Sequence, residues 1–100
     1  MGNKIDILLV EDEAITAMLL QKQLADIGYP ILEYVTTGEK AIVSANQNPP
    51  DIILMDIRLA GEINGIEAAE TIKAEVDIPI IFITRSEEHT SELQSLLIIS

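Results

Sequence analysis

Two short, mostly apolar segments of this chain each end on acidic residues. Residues 5–10 lead into Glu11 and Asp12, and residues 52–55 lead into Asp56. Such runs are typical of strands buried on both faces, as in a parallel sheet, whose carboxyl ends share one edge. Carboxylates brought together there repel one another unless a hard cation lies between them, and Mg²⁺ prefers oxygen ligands. The sequence therefore predicts an acidic pocket that binds Mg²⁺.

The amino-acid composition indicates one small domain and argues against several kinds of binding surface. One hundred residues, 48% of them apolar, suffice for a single small core. The net charge of −11 argues against a nucleic-acid or anionic-membrane surface, because both require concentrated Lys and Arg. Without cysteine, disulfides and thiolate metal sites are excluded. With no signal-peptide pattern and no apolar stretch near the ~20 residues of a membrane span, we expect one soluble cytoplasmic domain.

Strand-like and helix-like segments alternate along the chain. Further strands are predicted at residues 31–35 and 80–83, and the Thr-x-x-Glu pattern of residues 36–39 predicts a capping box. Gly28 is expected to end the first helix. Two apolar helical faces are predicted to enter the core: Ala17, Leu20, Leu24 and Ile27 in the first helix, and Ile66, Ala69, Ile72 and Val76 in the third. This alternation predicts an α/β fold with a doubly wound parallel sheet and helices on both faces.

Four sequence motifs resemble the receiver domain of two-component response regulators. They are Ile-Leu-Leu-Val-Glu-Asp-Glu at residues 7–13, Ile-Leu-Met-Asp-Ile-Arg-Leu at 53–59, Gly-Ile-Glu-Ala-Ala at 65–69 and Ile-Pro-Ile-Ile-Phe-Ile-Thr at 78–84. Their order and spacing match that family over residues 1–84. The resemblance implies a flavodoxin-like sheet with strand order 2-1-3-4, followed by a fifth strand that this sequence lacks.

The resemblance also implies a set of functional residues. Asp56 would be the phosphoacceptor, taking a phosphoryl group from the phosphohistidine of a histidine kinase or a phosphotransfer protein. Mg²⁺ would be held by Asp12, Asp56, the backbone carbonyl of Arg58 and, through water, Glu11. Thr84 would bind the phosphoryl group and act as a switch. The domain would be a signalling module, not a turnover enzyme.

After Thr84 the sequence departs from the family. No lysine follows Lys73, so the phosphate-binding lysine expected of a receiver is absent. Residues 85–95 resemble the translation of a common sequencing-library adapter, which predicts a truncated receiver at 1–84 and a non-native tail at 85–100. The alternative is a genuine helix over residues 86–99. Without a fifth strand, residues 80–83 would form an open edge prone to self-association.

The same residues also allow interpretations other than phosphoacceptor function. A degenerate receiver without the lysine would act only as a binding module. A phosphohydrolase of the haloacid dehalogenase type also uses a strand-end aspartate, but it requires a second aspartate where Arg58 stands. Glu11 and Asp12 could simply cap a helix, and Thr84 could be an ordinary strand-end residue.

Overall fold

A five-stranded sheet carries helices on both of its faces. The computed structural model describes residues 4–85 and 96–99. Its elements in chain order are β1 (Ile7–Val10), α1 (Ala14–Asp26), β2 (Glu33–Val35), α2 (Gly38–Gln47), β3 (Ile52–Asp56), α3 (Gly65–Glu75), β4 (Ile80–Arg85) and β5 (Leu96–Ile99). No helix among these residues is long and apolar enough to cross a membrane.

The strands lie in the order β2-β1-β3-β4-β5, and the first four are parallel. The predicted α/β class and the parallel order 2-1-3-4 are therefore confirmed. In the register of the central pair, Val10 lies opposite Met55. The residues that follow them, Glu11 and Asp56, consequently reach the same edge of the sheet, which is where ligands bind in folds of this type.

The prediction for the far edge of the sheet is wrong. Residues 80–83 were expected to form an open edge, whereas β4 pairs antiparallel with β5, from Phe82 opposite Ile99 to Arg85 opposite Leu96. An apolar, partly β-branched run can satisfy the open backbone groups of β4, which a helix cannot do. Residues 96–99 are thus a strand and not part of a helix. Residues 86–95 and 100 lie outside the described residues, and the origin of the segment 85–100 stays a prediction.

Two apolar clusters fill the spaces on either side of the sheet. Alternate residues of β1 divide between them, because successive side chains of a strand point to opposite faces. Leu8 and Val10 pack with buried residues of α2 and α3, whereas Ile7 and Leu9 pack with Ala17 and Leu20 of α1. Helix α1 therefore covers one face, and α2 and α3 cover the other.

The helix ends confirm that Gly28 ends α1, but they place the start of α2 one residue later than predicted. Gly28, with φ of +94°, ends α1 as predicted: its N–H donates to Ala25, and that of Tyr29 donates to Leu24, which completes a Schellman motif. Helix α2 begins one residue later than the predicted capping box, because Thr37 is its N-cap and accepts from Lys40 N–H. The complete capping box lies at the start of α3, between Asn64 and Glu67.

The predicted apolar faces of α1 and α3 are only partly buried. Ile27 is 67% exposed because it lies beyond the last turn of α1, and Ile66 is 44% exposed. As predicted, α3 turns Ala69 and Ile72 into the core, and Ala68 is buried beside them. Small alanines on this face let α3 pack against α2, so Ile66 is left at the surface.

Gly65 fixes how closely α3 approaches β3. A Cβ atom added to this glycine would collide with the backbone carbonyl oxygen of Asp56. The N–H of Gly65 donates to the Ile57 carbonyl at 2.9 Å. Any other residue would force the backbone of β3 and the start of α3 apart. The absence of a side chain at position 65 therefore helps to place Asp56.

Truncation of the fully buried Ile72 to alanine should lower the free energy of unfolding by about 2–5 kcal/mol, because the neighbouring side chains cannot fill the cavity. Ile66→Ala on the same helix is the matched control, with an expected loss below about 1 kcal/mol. Urea unfolding measures both. Equal losses would show that the orientation of α3 is wrong.

Gly65→Ala should destabilise the domain by more than about 2 kcal/mol, because the added methyl group meets backbone that cannot rotate away. Gly38 is the control, since it also begins a helix and its added Cβ would meet mainly the flexible side chain of Ile63. Gly38→Ala should cost about 1 kcal/mol. If urea unfolding gave the reverse order, the close approach of α3 to Asp56 would be refuted.

Candidate metal centre

Three carboxylates converge at the carboxyl edge of the two central strands. Glu11 and Asp12 directly follow β1, and Asp56 is the last residue of β3. Each offers an oxygen within 4.8 Å of the oxygens offered by the other two. The acidic pocket predicted from the sequence is therefore confirmed, and it arises because β1 and β3 pair in parallel without a shift in register.

The three acids differ in their exposure to solvent. Glu11 is 1% exposed and Asp56 is 6% exposed, whereas Asp12 lies at the surface. Burial of two carboxylates beside a third is unfavourable, because each ionised group loses water while it repels the others. A cation at this position would relieve both costs, so the burial of the cluster favours a metal site.

Each acid accepts a hydrogen bond from a backbone amide. Glu13 N–H donates to Glu11 Oε2 at 2.9 Å, and Arg58 N–H donates to Asp56 Oδ1 at 3.1 Å. Asp12 Oδ2 accepts from Ala60 N–H, also at 3.1 Å. Hydrogen bonds to a carboxylate are stronger than those between neutral groups and restrict its rotation. The backbone thus orients all three carboxylates.

Helix capping does not account for the acids that follow β1. Glu13 occupies the N-cap of α1 and makes no side-chain capping bond, although its Oε1 accepts from the Thr16 hydroxyl at 2.9 Å. Glu11 and Asp12 precede the cap, and Asp12 reaches away from the helix to the loop after β3. The capping alternative is therefore insufficient for Asp12.

The other two predicted site residues lie at the same edge of the sheet. Arg58 is exposed and stands two residues after Asp56, in the loop that leads to α3. Thr84 lies in β4, one residue after Ile83, the parallel partner of Asp56. The backbone of Thr84 is therefore close along the sheet to the end of β3.

Tyr34 belongs to the electrostatic surroundings of this pocket, and sequence reasoning missed it. It lies in β2, opposite Leu9 of β1, and is partly buried. Burial raises the pKa of its phenol, and the negative charges of Glu11 and Asp12 raise it further. The neutral phenol therefore contributes stability below its usual pKa of about 10, and this contribution is lost as the pH rises through the higher folded-state value.

The donors suit a hard divalent cation. All three side chains offer carboxylate oxygens, and their combined negative charge exceeds that of the usual two-carboxylate Mg²⁺ site. No cysteine exists in the sequence, which excludes thiolate coordination. The residues present therefore fit Mg²⁺.

Comparison with known families supports this interpretation of the pocket. The response regulator receiver domain family matches residues 7–98. This is a family of receiver domains and not of catalytic enzymes. Among curated proteins, the chain is 32% identical over 84 residues to the phyllosphere-induced regulator PhyR of Methylorubrum extorquens, with 83% of the chain and 32% of that protein covered.

A second curated relative is the phosphate regulon transcriptional regulatory protein PhoB of Pseudomonas aeruginosa. It is 38% identical over 93 residues, which cover 90% of the chain and 40% of PhoB. The chain therefore spans less than half the length of these two regulators.

Solved structures show the same fold. The signal receiver domain of a modulated diguanylate cyclase from Desulfovibrio desulfuricans superposes with a TM-score of 0.77 at 40% identity, covering 84% of this chain and 67% of that one. PhyR of Bartonella quintana, in complex with the anti-sigma factor NepR, gives a TM-score of 0.80 at 28% identity and covers 97% of this chain and 42% of that one. With the acidic pocket, the parallel sheet and the family match in agreement, this chain belongs to the response regulator receiver domain family.

Proposed function

We propose that this domain accepts a phosphoryl group on Asp56 from the phosphohistidine of a histidine kinase or a phosphotransfer protein in the cytoplasm. The observation that carries the proposal is the convergence of Glu11, Asp12 and Asp56 within 4.8 Å in a chain of the receiver family. Asp56 is the acceptor in this proposal because it ends the central strand, while Glu11 and Asp12 face it from β1.

The proposed reaction requires little chemistry from the protein. A carboxylate oxygen of Asp56 attacks the phosphorus, an O–P bond forms as the N–P bond to histidine breaks, and the departing imidazole nitrogen takes a proton from solvent. Arg58 N–H, at 3.1 Å from Oδ1, limits rotation of the attacking carboxylate. Asp12, Asp56 and the Arg58 carbonyl would hold Mg²⁺, with Glu11 acting through water. The metal ion, when bound, offsets the negative charge on the phosphoryl oxygens.

Thr84 is proposed to donate a hydrogen bond from its hydroxyl to the phosphoryl group, since its backbone lies beside the end of β3. The sequence contains no lysine after Lys73, whereas the resemblance to receivers implies a phosphate-binding lysine in that part of the chain. This observation favours a second candidate function, a receiver that binds a partner without being phosphorylated. The two functions are separated by a phosphodonor experiment.

Cation binding should be visible through Tyr34. The sequence has two tyrosines and no tryptophan, so Tyr29→Phe leaves Tyr34 as the only strong intrinsic fluorophore. Mg²⁺ should change its fluorescence saturably at pH 7, because the charges of Glu11 and Asp12 act on the phenol. Asp12→Asn in this background should weaken binding about tenfold or more, as expected for loss of a charged ligand.

Asp77→Asn is the control for that titration, because this exposed acid precedes β4 at the opposite edge of the sheet. Its Mg²⁺ affinity should equal that of the Tyr29→Phe parent. If Asp12→Asn also left the affinity unchanged, the proposed assignment of the metal site would be wrong.

Phosphorylation should depend on Asp56 and on Mg²⁺. Incubation with acetyl phosphate, followed by intact-mass measurement, should add one phosphoryl group to the unsubstituted chain, slowly because the lysine is missing. EDTA should abolish the addition, and Asp56→Asn should prevent it because an amide is a poor nucleophile. Asp77→Asn should react like the unsubstituted chain.

Two outcomes would contradict the phosphoacceptor assignment. A phosphoryl group on the Asp56→Asn variant would place the acceptor elsewhere. A chain that binds Mg²⁺ at Asp12 yet takes no phosphoryl group from acetyl phosphate or from a phosphohistidine donor would instead support the binding module.

A further inference from the structure

The three backbone amides that hold the acidic pocket have different origins. For Glu11 and Asp56 the donor is the amide two residues further along the chain, which a tight turn supplies locally. For Asp12 the donor is the amide of Ala60, 48 residues away. The orientation of Asp12 therefore depends on a contact between two segments that are distant in the sequence, whereas Glu11 and Asp56 each accept a hydrogen bond from the turn that follows them.

That loop is anchored on both sides of Ala60. Leu59 and Ile63 pack against the apolar cluster that lies beneath α2 and α3. The loop closes at its base through Gly65 N–H, which donates to the Ile57 carbonyl at 2.9 Å. The amide of Ala60 is thereby presented from a fixed support, although Ala60 itself is exposed.

Asp12 has no comparable support from burial. Its side chain is exposed, unlike those of Glu11 and Asp56. An exposed carboxylate populates several rotamers, and a ligand that needs one of them must bear the cost of ordering it. A charge-assisted hydrogen bond from a fixed amide selects one rotamer in advance.

We propose that the backbone N–H of Ala60 is a positioning group of the metal centre, which holds Asp12 by Oδ2 so that its carboxylate faces Glu11 and Asp56. The inference rests on the proposed Mg²⁺ site. The hydrogen bond also joins the β3–α3 loop to the pocket. Because Leu59 and Ile63 hold the loop independently, loss of the N–H at Ala60 should release Asp12 while the loop stays in place.

The hydrogen bond is tested first in metal-free protein, by amide hydrogen exchange at Ala60 followed by NMR. The Ala60 amide should exchange at least tenfold more slowly in the unsubstituted chain than in Asp12→Ala, which lacks the acceptor. Asp12→Asn should restore part of the protection, since its side-chain oxygen still accepts. Equal exchange rates in the unsubstituted chain and Asp12→Ala would overturn the proposal.

The positioning role is tested by Mg²⁺ titration of two substitutions at one site. Ala60→Pro removes the N–H and should weaken Mg²⁺ binding three- to tenfold, whereas Ala60→Ser keeps the N–H and should bind as the unsubstituted chain does. Because proline also restricts Leu59, the amide spectrum of the rest of the domain checks that the Ala60→Pro fold is intact.

The results separate this inference from the function on which it rests. An unsubstituted chain that binds no Mg²⁺ would refute the proposed metal site itself. An unsubstituted chain that binds Mg²⁺ with the same affinity as a folded Ala60→Pro variant would refute the positioning role alone. Slow exchange at Ala60 together with weaker binding by Ala60→Pro would establish it.

Discussion

Parallel pairing of β1 with β3 is the constraint on which the rest of this structure depends. It places Val10 opposite Met55, and so carries the next residues, Glu11 and Asp56, to one edge of the sheet. A shift of one residue would turn the side chains of a strand to the opposite faces and separate the acids. The apolar clusters on both faces fix this register, since each accepts alternate residues of both strands.

Three clustered carboxylates lose hydration and repel one another, and hydrogen bonds from the surrounding backbone partly offset this free-energy cost. Glu11 is almost fully buried, yet none of the buried side-chain polar atoms in the described part of the chain lacks a hydrogen-bond partner. The amides of Glu13, Arg58 and Ala60 donate to these carboxylates and replace part of the hydration that burial removes. The field of the acids extends to the neighbouring strand: burial raises the pKa of Tyr34, and the charges of Glu11 and Asp12 raise it further.

Sequence reasoning succeeded where the decisive contacts follow from local pattern. Apolar strands ending on acids were sufficient to place Glu11, Asp12 and Asp56 together, since parallel strands share a carboxyl edge. It did not identify Tyr34 or the Ala60 amide, because the proximity of Tyr34 to the acids depends on tertiary geometry and the Ala60 contact depends on the path of a loop 48 residues from Asp12. For Tyr34, the sequence offered one signal: a residue with a polar group in the strand predicted to lie beside β1.

Two predictions drawn from apolar residues, the burial of Ile66 in α3 and the open edge of β4, were wrong because they too depend on tertiary packing. Helical spacing of three and four identified a face of α3, but the small residues Ala68 and Ala69 determine which side meets α2, so Ile66 remains exposed. The edge of the sheet was mispredicted because the segment after Thr84 was interpreted as a non-native or helical tail, whereas its apolar residues Leu96–Ile99 pair with β4. The close approach of the Gly65 backbone to the Asp56 carbonyl joins β3 directly to the first turn of α3. A residue inserted between Ile57 and Gly65 would thus be absorbed by an outward bulge of the loop, so the distance from the acidic pocket to the helix would stay constant.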